Sequence, residues 1–99
     1  MRPTKFKCGA LHYKIVYSPT LISDTGGVGQ HEMDIETITI ASESAGGARP
    51  FSERYVKSTL WHEIVHAILT QMGETERSDD ERFVEGFANL LAQVIDTME

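Results

Sequence analysis

From Ser52 to about Met72 the residues Tyr55, Leu60, Trp61, Ile64, Val65, Ile68, Leu69 and Met72 recur at helical spacing. This stripe constrains the fold more than any other feature, because a helix with one apolar face must bury it against a second layer. Pro50 lies just ahead of the stripe, and Gly73 sits where such a helix stops. Ser78-Asp79-Asp80-Glu81 then has the form of a capping box, with Ser78 capping and Glu81 reaching back. Behind it Phe83, Val84, Phe87, Leu90, Leu91, Val94, Ile95 and Met98 trace a second wide apolar face.

The first half follows the strand period instead. Leu11 to Tyr17 alternates loosely and is rich in β-formers, with Lys5 to Cys8 leading into it and a turn or bulge at Gly9-Ala10. Asp24-Thr25-Gly26-Gly27 reads as a turn or mobile loop, Gln30 to Ile35 as a strand, and Thr37 to Ala41 as another after a tight turn near Glu36. The expected fold is α+β: a small three- to four-stranded antiparallel sheet followed by two long helices. One domain is expected over residues 1–99, β-rich over 1–49 and helical over 50–99.

A net charge of −6 argues against a nucleic-acid surface, although Arg2, Lys5, Lys7 and Lys14 precede the first acid. No apolar run reaches membrane-spanning length, so no membrane association is expected. The basic start is followed by no continuous apolar stretch, so a cytoplasmic location is expected. The lone Cys8 allows no internal disulfide and reads as a small strand residue.

His62 and His66 stand four apart on the first helix and so project from one face, a turn from each other. That spacing lets two imidazoles share a Zn2+ ion, with Glu63 beside the metal as a base. A hydrolytic zinc site takes three protein ligands and keeps one position open. The second helix supplies Glu85 as the expected third ligand, with Ala88, Asn89 and Ala92 allowing close approach and Asn89 able to hold a ligating histidine. Glu81 is the competitor, but the capping box accounts for it, and Asp79 and Asp80 suit a helix's first turn. His12 and His31 read as strand histidines without a partner at ligand spacing, and Tyr13, Tyr17, Phe83 and Phe87 as core.

His62-Glu63-Ile64-Val65-His66, followed after eighteen residues by Glu85-Gly86-Phe87-Ala88-Asn89, resembles the gluzincin metallopeptidases. The likeness is closest to the minimal phage-encoded proteins and the ImmA/IrrE group, and it covers the helical half and, more loosely, the sheet. It implies a zincin-like catalytic domain in which His62, His66 and Glu85 hold zinc and Glu63 is the general base of peptide hydrolysis. It also implies that an extended protein or peptide substrate adds to an exposed strand edge. The subdomain that steadies the transition state in larger gluzincins has no counterpart here. Tyr17, Tyr55 and Arg82 are the candidates in this sequence for such a donor.

Three other readings fit the same residues. One is a zinc-containing, non-catalytic gluzincin-like module that binds a protein partner. Another is a DNA-associated protease of the SprT type, which the acidic balance and the lack of paired cysteines oppose. The third is a latent enzyme in which a terminus, or a loop at Gly26-Gly27 or Gly46-Gly47, fills the open metal position. Oligomeric state is not legible.

Overall fold

The computed structural model describes residues 2–99. Its elements are β1 Lys5–Cys8, β2 Leu11–Ser18, α1 Leu21–Thr25, β3 Gly29–Glu32, β4 Thr37–Ala41, α2 Glu53–Gln71, α3 Thr75–Asp79 and α4 Glu81–Thr97. The fold is α+β, as the two periodicities require.

The sheet is mixed rather than wholly antiparallel, with strand order β1-β2-β4-β3. β1 and β2 form an antiparallel hairpin across Gly9-Ala10, β3 and β4 a second one, and β2 pairs with β4 in parallel, Ile15 opposite Ile38 and Tyr17 opposite Ile40. Composition explains the rearrangement. Thr37-Ile38-Thr39-Ile40-Ala41 is the strand best suited to an interior place, and Ile38 and Ile40 are fully buried. Gly29-Gln30-His31-Glu32 is polar and tolerates an edge. Placing β4 inside and β3 outside makes β2 and β4 neighbours, and the two run parallel.

Two local readings also shift. The stretch expected as a turn or loop around Asp24 holds α1, a single helical turn closed by Gly26 at φ 79°. The strand expected to reach Ile35 ends at Glu32, and Met33–Ile35 form a 3₁₀ turn closed by Glu36 at φ 49°.

α2 begins on Ser52, whose side chain accepts a hydrogen bond from the Tyr55 N–H at 3.1 Å. It ends in a Schellman motif: Glu74 N–H reaches Leu69 O, Gly73 N–H reaches Thr70 O, and Gly73 takes φ 77°. The helix lies between two apolar clusters. On one side Val56, Leu60 and Ala67 pack on Tyr13, Ile15, Ile38 and Ile40 of the sheet; on the other Val65 and Leu69 meet Val84 and Ala88 of α4. Each large aliphatic side chain buried this way contributes about 1.5–3 kcal/mol.

α4 is less buried than its pattern suggests. Only Val84 and Ala88 are buried, while Phe87, Leu90, Val94 and Met98 are exposed. Of the four aromatic residues expected in the core, Tyr13 is buried, Tyr17 and Phe83 are half-buried, and Phe87 is exposed and stacks on Phe83 at 5.9 Å. No helix among the described residues is long and apolar enough to cross a membrane.

Candidate metal centre

With two sides of α2 committed to packing, its remaining face meets the start of α4 and the edge strand β3. His62, Glu63 and His66 lie there, lining a cavity of about 580 Å³ together with Glu81 and Glu85.

His62 and His66 stack edge-on with ring centroids 5.0 Å apart. Glu81 spans them: one carboxylate oxygen is 3.0 Å from His62 Nε2 and the other 3.0 Å from His66 Nε2. These three side chains can hold a metal ion, since one donor atom from each lies within 4.8 Å of the others. A carboxylate oxygen and a ring nitrogen at such a distance are joined by a hydrogen bond that a ring N–H donates. The same donor atoms could hold a metal ion in place of that hydrogen.

Glu85, the expected third ligand, is placed differently. Its carboxylate lies 2.9 Å from Nδ1 of His62, on the side of the ring away from Glu81's contact. Asn89 does not touch a histidine; it donates to Glu85 at 3.2 Å and accepts from the Ser58 hydroxyl at 3.1 Å. Ser58, Asn89 and Glu85 therefore form a chain that fixes the ring of His62. Ser78 does the same for His66, its hydroxyl lying 3.0 Å from Nδ1.

The capping box expected at Ser78 is thus not formed. Asp80 caps α4, accepting from Phe83 N–H at 3.1 Å, while Ser78 is buried in α3. Asp80 was itself a good capping residue by type, and Glu81 and Glu85 stand four apart on one face. Those two signals pointed to Glu81 as a site residue.

Glu63 is buried, and burial pushes its carboxyl up to about 7, with His62 opposing the rise and Glu81 adding to it. Gly29 of β3 packs directly on it. A Cβ at that position would fall 2.7 Å from Glu63 Oε2 and 3.0 Å from both Glu63 Cγ and Thr59 Cγ2.

His31, two residues on and on the same face of β3, lines the cavity as well. Its Nε2 lies 2.7 Å from the hydroxyl of buried Tyr13. Burial lowers the basicity of the ring, and the neighbouring His66 lowers it further. The sequence held no cue for this placement, because it depends on β3 taking the edge beside α2.

Of the remaining donors considered, Tyr55 lines the cavity. Tyr17 does not: it donates to Pro3 O at 2.7 Å beneath the Arg2 guanidinium. Arg82 is exposed on α4 and does not line the cavity. His12 is an exposed β2 residue away from the site.

Among the described residues no strand pairs with the outer edge of β3. Ala41 N–H bonds Val28 O, so the antiparallel alternation directs Gln30 and Glu32 toward β4. The N–H and C=O of Gly29 and His31 face outward. No protein-family profile, curated protein or solved structure matches the chain.

Proposed function

We propose that this protein is a zinc-dependent metallopeptidase of minimal gluzincin form, with His62, His66 and Glu81 holding the ion and Glu63 acting as general base. The observation that carries the reading is the Glu81 carboxylate spanning both imidazoles beside the buried Glu63. Two imidazole nitrogens and one carboxylate oxygen are the donor set of hydrolytic zinc sites, which leave a position for water. Glu85 and Ser78 supply the partners that ligating histidines need on their other nitrogen. The same donors accept other divalent transition metals, so zinc is chosen by ligand type and geometry rather than affinity order.

Bound zinc would polarise a carbonyl and make a water molecule readily deprotonated. The protein's own part is proton handling and orientation. Glu63, buried beside the three metal-holding side chains, takes a proton from the attacking water and passes it to the leaving amine. Gly29 allows the β3 backbone to lie against Glu63, and the outward N–H and C=O groups of Gly29 and His31 suit the addition of an extended peptide as a further strand.

The test is bound metal measured by elemental analysis in the wild type, Glu81→Gln and Glu85→Gln. One zinc per chain is expected in the wild type, lost or strongly weakened in Glu81→Gln and retained with lower affinity in Glu85→Gln. Peptide hydrolysis by the loaded wild type but not by Glu63→Gln would complete the assignment. Absence of zinc after reconstitution would reject it, and zinc without hydrolysis of any peptide in a broad library would leave a binding module.

A further inference from the structure

Tyr13 is buried to within 1% of full cover, and its hydroxyl meets Nε2 of His31 at 2.7 Å. A phenol carries one donor hydrogen, and leaving that hydrogen unpaired in the interior costs about 1–3 kcal/mol. Donation from Tyr13 to Nε2 satisfies it, whereas the reverse arrangement strands it. The neutral His31 ring must then carry its proton on Nδ1. That nitrogen has no protein partner among the described residues, although the ring lines the cavity shared with Glu63 and His66.

The phenol is itself immobilised. Tyr13 stacks on Phe6 with ring centroids 5.0 Å apart and planes 6° from parallel, and it sits in the cluster of Ile15, Ile38 and Ile40. A rigid interior residue therefore dictates the tautomer of a side chain at the cavity wall. Peptide hydrolysis places negative charge on the carbonyl oxygen, and an N–H donor fixed in advance stabilises that charge without reorganising.

Resting on the metallopeptidase reading, we propose that His31 Nδ1–H donates to the substrate carbonyl oxygen as it becomes negative. Tyr13 is the positioning residue that holds His31 in the required tautomer. This assigns a role in the reaction to the edge strand itself, through a side chain as well as through its backbone.

The experiment uses the full chain, zinc-loaded, with acetohydroxamate as a small probe presenting anionic oxygens without side-chain requirements. Binding is measured by calorimetry for the wild type, His31→Phe and Tyr13→Phe, each at verified zinc content. Nitrogen-15 NMR on the metal-free protein reads the His31 tautomer.

The expected result is Nδ1 protonated and Nε2 bare in the wild type, with a tautomer mixture in Tyr13→Phe. Acetohydroxamate affinity should fall about tenfold in His31→Phe and less in Tyr13→Phe, a loss typical of one hydrogen bond to a charged oxygen. A protonated Nε2 in the wild type would overturn the proposal. So would equal affinity in wild type and His31→Phe at equal zinc content, or no binding by the zinc-loaded wild type. A wild type that takes up no zinc rejects the metallopeptidase reading itself, and the metal measurement reports this before any probe is added.

Discussion

At Gly29 there is no space for a methyl group. The carboxylate and Cγ of Glu63 and the methyl of Thr59 all lie within 3.0 Å of where it would sit. Gly29→Ala is therefore expected to displace Glu63 or the edge strand and to cost about 1–3 kcal/mol, read from the urea midpoint. Glu63 has a pH signature of its own in the metal-free protein. Its carboxyl rises from 4.5 to about 7 on folding, so the folded state favours the protonated form. The contribution is fully present below about pH 4.5 and is lost as pH climbs through 7. Above that, the ionised group costs the fold on the order of 3 kcal/mol. Metal-free Glu63→Gln is expected to be more stable than the wild type at pH 8 and to match it near pH 4, as checked by denaturation at both.

At the scale of the element, two residues where α3 passes into α4 carry distinct tests. Asp80→Ala should lose about 1 kcal/mol, because its side chain caps α4. Ser78→Ala should leave that cap intact but weaken zinc binding about 10–100-fold, because Ser78 holds Nδ1 of His66. A competition titration against a zinc indicator separates the two. The contrast also shows what was legible in the chain. The α2 stripe and its glycine stop are local features, and the helix formed as they required. The two histidines and Glu63 came with it, since one helical face carries all three. The Ser-x-x-Glu pattern misled because it is satisfied locally, whereas α3 takes Ser78 into a different helix and frees Glu81. Strand order was not legible, because pairing between β2 and β4 depends on residues more than twenty positions apart.

For the whole molecule, α4 is the weakly held part. It buries only Val84 and Ala88, and its ion pair to α2, Lys57 with Asp96 at 3.4 Å, is exposed and contributes little. The Glu81 contacts to His62 and His66 supply a tie near its start. Zinc held across that junction would stabilise the native chain by mass action. Chelation is accordingly expected to lower the melting temperature and to speed amide hydrogen exchange in α4 more than in β4.

The placement of β4 between β2 and β3 has a consequence for the order of assembly. A sheet of successive hairpins can grow one strand at a time from either end. Here β3 and β4 are joined by a short turn, and their pairing is local, while β4 finds its second neighbour only after the whole unit swings back onto β2. The slow event in folding is then expected to be the docking of the β3–β4 hairpin onto β2, with the loop-closure entropy of the intervening chain to overcome. The edge of the candidate cleft would arrive in the same step as the central strand of the core.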